Sequence, residues 1–213
     1  MRQIPTHLKP MPRGHCEYTE TSWLNNLLRN SSFTPWMVYL PIVGILLTLS
    51  FIKLEFSLPL VVGLFLLGWF TWTITEYILH RFVLHAEPKN PVLRKMLDIA
   101  HWQHHRHPKD DQCFEIPVLF SALLALLVFS VFYFLMGPKS IPFYAGFAFG
   151  YLFYVMMHWA QHFIAMKQVP DFLKPLWEHH LLHHYKNPDS NFGVTFDFWD
   201  RVFGTRETRE ERK

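Results

Sequence analysis

His80-Arg81-Phe82-Val83-Leu84-His85, followed after fifteen intervening residues by His101-Trp102-Gln103-His104-His105, is the stretch that decides how this chain is built. The pattern returns downstream, as His158 and His162 and then as His180, His183 and His184. These four clusters hold ten of the 14 histidines. Residues three and four apart share a helix face, so His101, His104 and His105 can point together, as can His180, His183 and His184. His158 and His162 do the same. His80 and His85 are five apart, and an unbroken α-helix aims them in different directions. Their spacing predicts that the helix ends or bends between them, or that they serve different metals. Neutral imidazole is the commonest protein ligand for transition metals. One histidine at the end of an apolar helix is ordinarily structural, but ten in four clusters at helical spacing predict a metal site.

The clusters border apolar runs. The first run covers residues 36–52, and the second extends from Phe56 to Ile74 and on through Glu76 to His80. The third covers about Ile116 to Met136 and the fourth about Ile141 to Met157. A hydrocarbon core about 30 Å thick takes about 20 residues of helix, and each run reaches or approaches that. Half of the 213 residues are hydrophobic and 17% are aromatic. A soluble domain of this size could hardly hide four such segments. The expected fold is therefore all-α and integral to a membrane, with four transmembrane helices in two hairpins and a cytosolic helical cap holding the histidines. Lys53-Leu54-Glu55 and Gly137-Pro138-Lys139-Ser140 close the hairpins, while Pro41 and Pro59 lie near helix starts or kink them. The expected divisions are a cytosolic N-terminal tail over 1–35, a membrane domain over 36–205 and a charged tail over 206–213.

Charge gives a second, independent signal. Of the 20 lysines and arginines, all but Lys53 and Lys139 fall in the N-terminal tract, in 81–112 or after residue 166. That bias places both termini in the cytosol and every histidine cluster at the cytosolic ends of the second and fourth spans. The net charge of +3 says little, because what matters is where the charges sit, and no nucleic-acid partner is expected. Residues 1–35 contain no apolar core of a signal peptide and are too short for an electron-carrier domain. A short interfacial helix is expected around Trp23 to Leu28. Cys16 and Cys113 form no Cys-x-x-Cys pattern and are read as free thiols in a reducing compartment.

The halves echo each other: His101, His104 and His105 precede His180, His183 and His184 by 79 residues each. Five ligands from each half could close around two metals, about five nitrogens apiece, leaving a position for oxygen. In the connector 86–100, Val92, Leu93, Met96 and Leu97 alternate with Arg94, Lys95 and Asp98, as in an amphipathic interfacial helix. Phe172, Leu173, Leu176 and Trp177 suggest the same for 163–179, and packing against the cap is the alternative for both. Glu76, Glu87, Asp98, Asp110, Asp111, Glu115, Glu178, Asp189, Asp197 and Asp200 are the carboxylates near enough in sequence to orient a ligand histidine. No His-Glu-x-x-His is present, catalytic zinc takes three protein ligands and structural zinc four, so ten histidines argue against a zinc hydrolase or zinc fold. A transporter would place its ligands near the bilayer midplane. Two metals at the interface, facing an apolar interior, suit attack on an alkyl chain.

Three further patterns sharpen this. They are Glu76-Tyr77-x-x-His80-Arg81-Phe82-x-x-His85; His101-x-x-His104-His105 with Pro108 and Asp110; and Asn191-Phe192-Gly193-Val194-Thr195 running to Trp199-Asp200-Arg201-Val202-Phe203-Gly204-Thr205. Over about Thr73 to Thr205 the chain resembles the fatty acid hydroxylase and sterol desaturase superfamily, nearest to the fatty acid 2-hydroxylases and their bacterial relatives. The resemblance implies a di-iron site, with zinc as a substitute in purified protein. Its implied ligands are His80, His85, His101, His104, His105, His158, His162, His180, His183 and His184, and no catalytic residue is assigned beyond them. His107 and His179 fall outside the spacing and are read as structural or as partners of the ligands. The eukaryotic 2-hydroxylases tend to carry an acidic residue three before the His158 position, where this chain has Val155.

The expected activity is oxygen-dependent hydroxylation of a fatty acyl chain. It needs dioxygen, a lipid and a separate electron donor such as a cytochrome b5-like or ferredoxin-like carrier. The expected location is the bacterial inner membrane or the endoplasmic reticulum. Trp69, Phe70, Trp72, Phe149, Phe153 and Met157 could line an apolar slot, while core or lipid-facing packing is the expected role of any single one of them. The alternatives are a sterol or carotenoid oxygenase or desaturase of the same superfamily, and a membrane metal-binding protein without enzymatic activity.

Overall fold

The apolar runs become helices whose ends are set by proline and glycine. In the computed structural model, which describes residues 4–11, 15–29 and 31–208, a short α1 (Ser22–Leu28) precedes α2 (Thr34–Ile52) and α3 (Leu58–Ile78). The last passes directly into a π-helix over Leu79–Leu84. Next come α4 (Pro91–Leu97), a second π-helix (Asp98–Trp102) and α5 (Gln103–Arg106). The chain continues through α6 (Val118–Met136), α7 (Ser140–Phe163), α8 (Lys174–Tyr185) and α9 (Phe198–Val202). No strand occurs among the described residues. Pro35 and Pro59 sit in the first turns of α2 and α3, where the missing N–H costs nothing, while Pro41 lies inside α2. Gly137 turns the chain between α6 and α7 with φ +56°, a conformation glycine adopts without a Cβ penalty.

Three segments are long and apolar enough to cross a membrane: Thr34–Ile52, Leu58–Leu84 and Asp111–Phe163. The third contains both α6 and α7. Exposure supports the membrane reading, because the one buried residue of α6 is Ser121 and Leu123, Leu126, Leu127, Phe134 and Leu135 are exposed. A helix apolar on every side that shows this surface belongs in hydrocarbon rather than water.

The centre of the bundle is α7, which packs along both α2 and α3. It crosses α3 at van der Waals contact of the backbones. A Cβ built on Gly146 would lie 1.9 Å from the Phe65 carbonyl oxygen, and one on Gly68 equally close to that of Phe143. Such small-residue crossings are how helices associate where no hydrophobic effect separates protein from lipid. Gly146→Leu should therefore force the helices apart and cost at least about 1–3 kcal/mol. A lower midpoint of thermal unfolding in detergent would register it.

Four sequence expectations need correction or refinement. Of the six residues that could line an apolar slot, Trp72 borders the apolar cavity between α3, α6 and α7, and the others take the packing or exposed roles expected of any single one. Trp69 packs edge-on against Phe149 and Phe153, Phe70 is exposed, and Met157 packs with Ala160, Val169 and Trp177. The α3–α7 crossing is too close to leave a slot, so the free space lies along α6. Cys16 and Cys113, expected as free thiols, are paired in a disulfide with Cα atoms 6.2 Å apart. The reason lies in the N-terminal segment, which folds back onto the cap and buries Cys16, Tyr18 and Leu28 against Cys113. Gln103 Nε2 donates to the Glu17 carbonyl and Met11 N to that of Arg106, each at 2.9 Å.

The connectors differ. In α4 no residue is buried, Val92, Leu93 and Met96 are exposed beside Arg94 and Lys95, and Asn90 caps the helix by accepting from the amides of Val92 and Leu93. In the second connector Trp177 is buried and Leu173 and Leu176 pack with it, leaving Phe172 exposed. At the C-terminus, Glu207 accepts from Asn187 Nδ2 at 2.6 Å, so the tail expected to be solvated starts anchored. Residues 209–213 lie outside the described residues, as do Arg2 and Arg13 of the basic N-terminal tract.

Candidate metal centre

The bend expected between His80 and His85 is a π-helix. In it the His85 amide donates to the His80 carbonyl at 3.2 Å, an i to i+5 bond. Widening the turn to five residues rotates the two histidines onto one face, which α-helical spacing forbids. The second π-helix carries His101 into α5. Helices α7 and α8 deliver the remaining histidines at ordinary i, i+3 and i, i+4 spacing.

The ten histidines converge as two sets of five. One comprises His80, His85, His101, His105 and His183; the other comprises His104, His158, His162, His180 and His184. Within each set the candidate ligand atoms lie within 4.8 Å of one another. The two histidine triplets do not each point at one metal, as a shared helix face had suggested. His104 and His105 are adjacent and face opposite sets, and His183 and His184 do likewise. Each half of the chain thus lends the middle histidine of its His-x-x-His-His to the other half's set.

The spacings fit an ion. The Nε2 atom of His101 lies 3.1, 3.2 and 3.0 Å from those of His80, His85 and His105. His183 and His85 approach at 3.1 Å, and His180 and His162 at 2.8 Å. Imidazole nitrogens about 2.0–2.1 Å from a common metal and at right angles would be about 3 Å apart. Hydrogen bonding cannot explain the cluster, because one nitrogen cannot satisfy three equivalent neighbours. The Nε2 atoms of His104, His158 and His184 are buried with no protein partner at all. Orphaned buried nitrogens of this kind are costly unless something else occupies them. The donor set is imidazole alone, which suits iron, zinc or copper rather than magnesium or calcium.

The outer nitrogens of His80 and His183 fix the tautomers of those two rings. His80 Nδ1 donates to the Phe192 carbonyl at 2.5 Å and His183 Nδ1 to the Ser190 carbonyl at 2.7 Å. Each Nε2 is thereby left with its lone pair facing inward. His158 Nδ1 meets the buried Glu115 carboxylate at 3.2 Å. Of the ten carboxylates considered from sequence, Glu115 is thus one that touches a clustered histidine. Burial holds the imidazoles of His85, His101, His105, His180, His183 and His184 well below their ordinary pKa, and neighbouring imidazoles reinforce it. For His104 the value falls to about 3. The rings are therefore neutral at pH 7, the state a metal requires.

The carbonyls that orient His80 and His183 belong to a loop clamped from two sides. Glu76 on α3 accepts from the amides of Val194 and Thr195 at 2.7 and 2.9 Å and from the Thr195 hydroxyl. Asp200 accepts from Phe192 N at 2.8 Å, Gly193 N at 2.7 Å, Thr205 Oγ1 at 2.7 Å and His179 Nε2 at 3.1 Å. Gly193 has no room for a side chain, since a Cβ there would meet the Phe196 carbonyl at 2.2 Å. Burial by itself would raise the Asp200 carboxyl, but the donors from His179, Thr205 and Gly193 outweigh it and hold it below the usual range. His179, set aside from sequence, thus anchors the loop. The carbonyls of Ser190 and Phe192 carry no signature of their own, and only the Asn191–Thr195 pattern singled out from sequence lay near them.

Glu115→Gln keeps the shape and removes the charge that faces His158. It should weaken metal retention about 10–100-fold, measured as metal per chain after dialysis against a chelator.

A family model for fatty acid hydroxylases matches residues 65–205. The chain is 33% identical over 169 residues to a dihydroceramide fatty acyl 2-hydroxylase of Arabidopsis thaliana, covering 79% of this chain and 70% of the relative. It is 35% identical over 150 residues to the fatty acid 2-hydroxylase of Homo sapiens, covering 67% of this chain and 39% of that longer protein. Among solved structures, the hydroxylase domain of full-length scs7p superposes with a TM-score of 0.81 at 29% identity, covering 87% of this chain and 70% of that one.

Proposed function

The chain belongs to the fatty acid hydroxylase family, and from that premise we propose that it hydroxylates the acyl chain of a fatty acid or ceramide-type lipid at a di-iron centre held by the ten clustered histidines. The observation that carries this is the pair of neutral five-imidazole sets, whose close nitrogen spacing and partnerless buried nitrogens no hydrogen bonding among the rings explains. The relatives' 2-hydroxylase activities favour an acyl substrate over a sterol or a carotenoid.

In this reading α2, α3, α6 and α7 each span the bilayer, and both termini and the histidines lie on the cytosolic side of a bacterial inner membrane or the endoplasmic reticulum. The distribution of lysine and arginine supports that orientation. Residues 36–205 form the membrane domain, with tails over 1–35 and 206–213.

Bound as iron, the metal pair would supply the reduction of dioxygen and the attack on a C–H bond, with electrons from a cytochrome b5-like or ferredoxin-like carrier. The protein's own part is positional. Phe192 and Ser190 carbonyls hold the rings of His80 and His183, Glu115 holds His158, and the buried walls keep water from the site. Leu79, which precedes His80, and Ile116, which follows Glu115, line an apolar cavity suited to a lipid tail.

The test is mass spectrometry of lipids from cells with and without the protein, grown under isotopically labelled dioxygen. One labelled oxygen atom in an acyl chain is expected, and its absence in cells carrying His104→Ala. An unchanged lipid profile alongside purified protein that retains metal would establish a non-enzymatic metal-binding protein instead.

A further inference from the structure

The short helix α9 lies against the membrane-spanning α3. Trp199 of α9 packs on Phe70 with ring centroids 5.8 Å apart, and its Nε1 donates to Thr73 Oγ1 at 3.0 Å. Phe203, just past α9, stacks on Tyr77 at 5.2 Å. Since α3 begins at Leu58, Phe70 and Thr73 stand about 18 and about 22 Å along its axis. A hydrocarbon core is about 30 Å thick, and a tilt of α3 only shortens the depth these residues reach. The contact between the two helices therefore falls inside the hydrocarbon that α3 crosses. Phe196, Phe198, Val202 and Phe203 are each about half exposed, as are Leu66 and Phe70 of α3. Through Phe70 and Trp199 the bare apolar surface of α3 continues onto α9.

We propose that α9, with Phe196 and Phe203 on either side of it, is seated in the hydrocarbon of the bilayer, which thereby forms the outer wall of the clamp that orients His80. The inference rests on α3 spanning the bilayer and not on the reaction. Charge does not oppose the seat. Arg201 and Arg206 both donate to Asp197, at 2.8 and 2.9 Å, and Asp200 is fully buried among its own donors. Charges that pair with one another are tolerated in a membrane, and arginine is long enough to carry its head toward the phosphate layer. The helix then has two faces with different partners. On the inner one Asp200 accepts from the amides of Phe192 and Gly193, and the Phe192 carbonyl in turn holds His80. On the outer one the four large apolar side chains meet lipid, a surface that water would disfavour.

The experiment attaches a maleimide fluorophore to single introduced cysteines in the full-length protein, carried in phosphatidylcholine nanodiscs. Cys16 and Cys113 are buried and bonded to each other, so they do not compete for the label. Phe198→Cys and Val202→Cys are the probes, with Leu66→Cys on α3 and Lys186→Cys after α8 as controls. Phospholipids with brominated acyl chains should quench both probes as they quench Leu66→Cys, and several times more than Lys186→Cys. Aqueous iodide should give the reverse order. Both probe positions are exposed, and one suffices if the other variant fails to fold. Probes that iodide reaches as readily as Lys186→Cys, while Leu66→Cys stays shielded, overturn the seat and leave α3 spanning. Iodide reaching Leu66→Cys as well overturns both. The wall is tested by Phe198→Glu combined with Val202→Glu, which should lift the helix from the hydrocarbon and speed the loss of metal to a chelator several-fold. Metal retention equal to that of the wild type overturns the wall.

Discussion

Replacing His183 with alanine should lower turnover by more than about a hundredfold, since groups one bond further from a metal already cost 10–100-fold. The informative part is where metal is lost. His183 lies in the second half of the chain but stands among His80, His85, His101 and His105. Its removal should empty the set built mainly by the first half and spare the other. His104→Ala should do the reverse, emptying the set of His158, His162, His180 and His184. Elemental analysis should then give about half the wild-type metal for each single variant and almost none for the double variant. Metal content unaffected by either change would mean that the crossed arrangement holds no ions. Histidines outside the two sets serve as controls: His15 approaches Asp110 at 3.4 Å on the surface, and His15→Ala should change neither metal nor turnover.

The second large effect is expected from Asp200→Asn. The carboxylate takes four hydrogen bonds from Phe192, Gly193, Thr205 and His179, and is fully buried. An asparagine amide can accept on one side only, and its NH2 group would face a second donor. Breaking such a buried arrangement costs about 3–5 kcal/mol. In a chain of this size that lowers the unfolding midpoint by about 6–20 °C. The loss should spread to the metal, because the same loop supplies the Phe192 and Ser190 carbonyls that orient His80 and His183.

The pH dependence has a definite sign. The folded-state pKa of Asp200 is depressed below 3.8, so its contribution to stability is complete above that value and is lost as pH falls through the lowered one. Acid titration of unfolding should show that loss in the wild type and lack it in Asp200→Asn. A variant as stable as wild type at neutral pH would remove the loop clamp from the account.

Local sequence was sufficient for some of this. An apolar run of about twenty residues reads as a spanning helix wherever it occurs, because chain length and side-chain solvation are properties of the segment itself. Histidines three and four apart share a face for the same local reason, and their number at the helix ends made a metal site legible before any contact was known. Glu115 stood among the candidate carboxylates but could not be told from nine others, since what distinguishes it is one contact with a residue 43 positions away.

The chain's own pattern of apolar runs and histidines determined that it is helical, that it enters a membrane and that it gathers imidazoles at one end. Only the tertiary structure decided how those imidazoles are divided. A π-helix realigned His80 with His85, and adjacent histidines turned their rings to opposite sets. It also decided that Cys16 meets Cys113 and that the free space lies along α6 rather than between α3 and α7. The reason is the same in each case: backbone hydrogen bonding is settled within a few residues, whereas which side chains converge depends on how closely distant helices can approach.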